Sequence, residues 1–64
     1  MFIQVTKIDH RTNEAVDGVF LANMDKVEFI EFTGIFTRLY FSEYDSIVIK
    51  ETPIEIIKLM EVMK

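Results

Sequence analysis

The sequence has no cysteine, no tryptophan, one proline and two glycines among its 64 residues. Without thiols there is no disulfide framework, no thiolate nucleophile and no thiolate metal ligand. With Gly18 and Gly34 as the only glycines, no glycine-rich loop is present to cradle a phosphate. No apolar run approaches the ~20 residues that span a bilayer. The start of the chain lacks a basic segment followed by an apolar one, so no signal peptide is expected. A cytoplasmic protein is the expectation that follows. Basic charge is also in short supply, with seven Lys and Arg against eleven Asp and Glu and a net charge of −4. The bases (Lys7, Arg11, Lys26, Arg38, Lys50, Lys58 and Lys64) are scattered, and nearly every one has an acidic neighbour close by in sequence. Non-specific phosphate binding needs such residues clustered, so nucleic acid is disfavoured as a partner.

What the chain does have is apolar side chain, at 50% of residues with 12% aromatic. A single domain is expected at this length. In so short a chain, apolar burial and the ordering of the chain are of similar size, about 100 kcal/mol each, and their difference is near zero. Disulfides are excluded and no metal site is evident. A second copy of the chain is then the simplest further source of stability, and a homo-oligomer, dimer or larger, is expected.

Periodicity places the elements. Residues 1–8 alternate, with Ile3 and Val5 on one side and Gln4 and Thr6 on the other, which predicts a strand. Residues 9–14 form a polar turn in which Asn13 is the best candidate for left-handed backbone. Residues 16–22 predict a second strand with Val19 and Leu21 on one face and Gly18 at a bend or bulge. Asn23, Met24, Asp25 and Lys26 predict a tight turn or a single helical turn. In residues 27–33 the apolar pattern changes parity between Phe29 and Ile30. Either both faces of this strand are covered or a bulge resets the alternation. Thr33 and Gly34 predict a hairpin turn into an alternating strand over 35–42. A turn at 43–45 and a strand over 46–50 follow.

The last segment is a helix with its start written into the sequence. Thr52 is placed as N-cap, Pro53 in the first helical position and Glu55 where it completes a capping box. Ile56, Ile57, Leu59, Met60 and Met63 fill one arc of about 160° and are expected to lie on the sheet. Ile54 and Val62 fall in the charged half. The fold class expected is α+β: an antiparallel five-stranded meander, or a small open barrel, with one C-terminal helix packed on it.

No constellation points to catalysis. Ser42, Ser46, His10 and several Asp supply the parts of a hydrolytic triad, but no nucleophile-elbow motif surrounds either serine. His10 is the only histidine, in a charged turn, where a solvated side chain is expected rather than a metal ligand. The acidic pairs are expected on solvated surfaces, because so short a chain rarely builds the cleft that paired-carboxylate chemistry needs. No enzyme, cofactor or metal is expected. The aromatics carry more weight. One helix covers one face of a sheet, so Phe20, Phe36 and Tyr40 on the other face would leave an apolar patch of the kind that marks protein contacts. With Ile54 and Val62 they form the candidate interaction residues.

The stretches "LANMDKVEFIE", "TRLYFS" and "IVIKETPIEIIKLM" resemble the flagellar FlbD-like family of small bacterial proteins and similar short phage proteins. Leu21, Asn23, Val27, Ile30, Thr37, Leu39, Val48, Glu51, Thr52 and Ile57 sit at matching places. The chain departs from that pattern at Glu43-Tyr44-Asp45, where a glycine is usual, and in its longer, more charged first hairpin. The resemblance implies a small β-rich domain closed by a helix and carries no functional residue with it. The leading expectation is a non-enzymatic protein–protein interaction or assembly module of bacterial or phage origin. The rival is a small regulatory nucleic-acid-binding protein using Lys7, Arg11, Arg38 and Tyr40.

Overall fold

A computed structural model describes residues 1–62, with strands β1 (Phe2–Val5), β2 (Ile8–Asp9), β3 (Glu14–Ala15), β4 (Phe20–Asn23), β5 (Phe29–Phe32), β6 (Thr37–Ser42) and β7 (Asp45–Ile49), and one α-helix, α1 (Pro53–Val62). The α+β class stands, with every strand pair antiparallel. The five-stranded meander does not. The strands form three separate ladders, β1–β4, β2–β3 and β5–β6–β7.

Local chemistry explains the difference. The first two expected strands each break in the middle. Thr6 and Lys7 separate β1 from β2, and the bend around Gly18, at φ 118°, separates β3 from β4. A single long hairpin thereby becomes two short ladders, with Asn13 left-handed at φ 60° in the connecting turn as expected. The second departure lies after β4. Asn23 accepts a hydrogen bond from the Asp25 N–H and caps a single 3₁₀ turn over Met24–Lys26. That turn carries the chain away from β4, so β5 does not fold back on it as a meander requires. The first hairpin of the meander does form, β4 pairing with β1, Phe2 opposite Asn23 and Val5 opposite Phe20. Backbone hydrogen bonding also links the ladders: Lys7 bridges Ile49, and the Lys50 N–H donates to the Thr6 carbonyl at 2.9 Å.

The core is small and aliphatic. Ile3, Val5, Ala22, Leu39, Ile49 and Ile56 form one buried cluster, with Ile8 also buried. Ile3 and Val5 face inward as their alternation predicts. In the second expected strand Val19 and Leu21 share a face, as their spacing implies, and it is the outward one: both are exposed, whereas Ala22 is buried and Phe20 leans on the core.

Helix α1 begins as the sequence dictates. The Glu55 N–H donates to Thr52 Oγ1 at 3.2 Å, the Thr52 N–H donates to Glu55 Oε1 at 3.2 Å, and the Ile56 N–H reaches the Thr52 carbonyl at 3.0 Å. Ile56 is fully buried and Leu59 and Met60 pack against the core. Ile57, expected on the sheet side, is 55% exposed. It lies at the margin of the apolar arc, and the helix lies against β1 rather than across a wide sheet, so nothing broad enough lies beneath it. Met63 falls outside the described residues.

Candidate functional site

Burial is unevenly shared among the strands, and β5 stands apart. All four of its residues are exposed, including Phe29, Ile30 and Phe32. Its register on β6 is regular: Phe29 opposite Tyr40, Ile30 opposite Leu39, Glu31 opposite Arg38 and Phe32 opposite Thr37. The change of parity in the sequence therefore reflects neither a bulge within β5 nor two faces covered by this chain. Phe29 lies on one face and Ile30 and Phe32 on the other, and both faces meet solvent.

The turn that joins β5 to β6 fixes which backbone groups remain free. The Thr33 N–H donates to the Phe36 carbonyl at 2.9 Å, and the Phe36 N–H donates to Thr33 Oγ1 at 3.2 Å. Gly34 turns the chain at φ 96°, a conformation that other residues adopt only with strain. Thr33 and Phe36 thus form a hydrogen-bonded pair, and in an antiparallel ladder such pairs alternate with non-bonded ones. Glu31 and Phe29 then direct their N–H and C=O groups at β6, while those of Ile30 and Phe32 point the other way. On that outer edge β5 has no strand partner among the described residues.

The outer sheet face is already organised. Phe29 stacks on Tyr40 with ring centroids 4.2 Å apart and planes at 16°. The Tyr40 hydroxyl donates to Glu31 Oε1 at 3.0 Å, and this hydrogen bond is the main reason that its pKa lies above the ordinary 10.0. Arg38 Nη1 donates to Ser46 Oγ at 3.1 Å. The Phe29–Tyr40 stack and the Tyr40–Glu31 hydrogen bond tie β5 to β6, and Arg38–Ser46 ties β6 to β7.

The residues singled out from the sequence are dispersed. Phe20 leans on the core and borders an open hollow with Phe2, Lys7 and Phe41. Phe36 lies beside the β5–β6 turn and borders a different, smaller hollow with His10 and Val48. Tyr40 is stacked on Phe29 and half-buried. These three do not line one common hollow. Ile54 and Val62 are exposed, at 66% and 81%, and Val62 edges a wide hollow of about 500 Å³ between β1 and α1. The sequence missed the combination that matters at β5, where exposed apolar residues coincide with an unpaired edge. The change of parity at Phe29–Ile30 was its only trace.

Among the described residues no three His, Cys, Asp or Glu side chains gather to hold a metal ion. The Ser46 hydroxyl is engaged by Arg38, and Ser42 Oγ accepts from the Tyr44 N–H at 3.3 Å. No described helix is long and apolar enough to cross a membrane. Comparison with protein-family models, with curated proteins and with solved structures gives no match.

Proposed function

We propose that this chain is a cytoplasmic, non-enzymatic protein–protein interaction or assembly module of bacterial or phage origin, in line with the FlbD-like resemblance, and that β5 is its docking strand. One observation carries the proposal: β5 is exposed on both faces, apolar at three of its four residues, and open along one edge. Proteins ordinarily protect such edges with lysine, proline, bulges or a covering element. Here only Glu31 does so within the strand. An unpaired strand edge is recognised by another strand, whose backbone supplies affinity and whose alternate side chains supply selectivity.

The nucleic-acid alternative gains nothing from the geometry. Tyr40 has one ring face taken by Phe29 and its hydroxyl by Glu31, and Arg38 is tied to Ser46. Lys7 sits over the Phe20 ring at 5.6 Å. A photo-crosslinking phenylalanine analogue at position 32, in the full chain expressed in cells, tests the proposal. Protein adducts at 32, with none from the same group at the control position Lys58, are the expected result. Nucleic-acid adducts alone, or no adduct from position 32, would overturn it.

A further inference from the structure

We infer that β5 docks on β5 of a second copy of this chain, antiparallel, about a two-fold axis passing through Ile30. This inference rests on the docking-strand proposal above and names the partner.

The backbone selects the kind of occupant. The outward N–H and C=O groups of Ile30 and Phe32 lie two residues apart, the spacing that an antiparallel strand satisfies with its own alternate residues. A second β5 presents the same groups in the same order, so the edge is self-complementary under a two-fold operation. An isologous contact of this kind closes at two chains.

Charge selects the register. An axis through Glu31 would place two carboxylates directly opposite each other, which is unfavourable. An axis through Phe32 would run Ile30 onto Gly34 of the other copy, in the turn where the backbone leaves the strand at φ 96°. An axis through Ile30 avoids both. It sets Ile30 opposite Ile30, Glu31 opposite Phe29 and Phe32 opposite Glu28, so no carboxylate faces another; the Glu28 N–H is already donated to the Tyr40 carbonyl at 2.8 Å, so the new ladder's hydrogen bonds centre on the Ile30 pair. The two three-stranded sheets would join into one of six strands, and strand addition would cover Phe29 on one face and Phe32 on the other.

Area sets the strength. Phe29, Ile30 and Phe32 are between 40% and 52% exposed, and Ile35 in the adjoining turn is 75% exposed. Together they offer about 400 Å² of apolar surface per copy, or about 800 Å² for the pair, at the weak end of specific interfaces. A dimer with a Kd of roughly 1–100 μM is expected. The outer edge of β4 is the competing surface, because Val19 and Leu21 are exposed there. That edge is blunted by the Gly18 bend at one end and by Asn23, whose side chain caps the 3₁₀ turn, at the other.

The absence of native cysteine makes the test direct. Single-cysteine variants at positions 21, 29, 30, 31 and 32 are oxidised in the purified full chain, with light scattering followed from about 1 μM to about 1 mM to span the expected Kd. Opposed residues in an antiparallel ladder have Cα atoms about 5.5 Å apart, within disulfide range. Ile30→Cys should form the covalent dimer at least tenfold faster than the other four, and native mass should double across the series. In the unmodified sequence, Ile30→Lys should raise the dimer Kd at least tenfold while the amide spectrum stays folded. Fastest coupling at any other position, or an Ile30→Cys plus Leu21→Cys mixture that couples faster than Ile30→Cys alone, would overturn the proposal. So would a monomer throughout the range. Where the purified chain is monomeric but position 32 still yields adducts to other proteins in cells, only the second-copy inference falls. Where both fail, the docking-strand proposal falls with it.

Discussion

The backbone N–H of Thr6 donates to Oε1 of Glu51 at 2.8 Å, partly buried, across 45 residues of sequence. Thr6 lies where the first strand breaks, and a strand break leaves an amide without a ladder partner. Glu51 lies just before the N-cap of α1. One carboxylate therefore ties the kink between β1 and β2 to the start of the helix.

Removing that acceptor should leave a partly buried N–H unpaired. Glu51→Ala is expected to lose about 1–2 kcal/mol, and Glu51→Gln, which keeps an amide oxygen, less than half of that. Urea unfolding with an unchanged slope is the measurement. Equal midpoints for Glu51→Ala and the parent chain would show that the bond contributes nothing.

The capping box makes a separate prediction. Thr52→Ala removes the acceptor for the Glu55 N–H and should cost about 1 kcal/mol, whereas Thr52→Ser should be close to neutral. A loss of similar size in both variants would place the effect in the methyl group rather than in the hydroxyl.

Thr37 is fully buried in β6, and its hydroxyl has no hydrogen-bond partner among the described residues. Thr37→Val keeps the β-branched shape and removes an unpaired polar group, so it should stabilise the fold by about 1 kcal/mol. In a domain of this size that is an increase in Tm of about 4–8 °C. A lower Tm for the valine variant would mean that the hydroxyl has a partner in solution.

Tyr40 gives a prediction in pH. Its neutral form donates to Glu31, so its pKa in the folded state is raised above 10.0. A raised folded pKa means that this stabilisation is fully present below the unfolded value and is lost as pH rises through the folded one. In a Tyr44→Phe background, absorbance near 295 nm follows Tyr40 alone. Its midpoint should lie above the ordinary value and fall when Glu31→Gln is added. A midpoint that ignores that second change would separate the shift from the Glu31 hydrogen bond.

The legible parts of this molecule were those set by neighbours in the chain. The Thr52–Glu55 box, the single turn after Asn23 and the hairpin at Thr33–Gly34 each depend on a side chain reaching a backbone group within a few residues, and the left-handed Asn13 on that residue's own conformational preference. The inward face of β1 was equally plain, because Ile3 and Val5 alternate with polar residues. Which face of the second strand turns inward was not legible: Val19 and Leu21 share the exposed face and Ala22 lies on the buried one. Hydrophobicity marks what prefers burial, and the smaller residue took the inward position because its side of β4 faces the core.

The sequence by itself determined the local turns, the helix start and the excess of apolar side chain over what so few residues can enclose. Those follow from hydrogen bonds and conformational preferences that act over short distances. Only the tertiary structure decided that the strands divide into three ladders, that Glu51 serves Thr6, and that β5 has, among the described residues, a bare edge and two exposed faces. Pairing between distant segments settles which strand lies at an edge, and no property of Phe29, Ile30 or Phe32 alone encodes the absence of a neighbour.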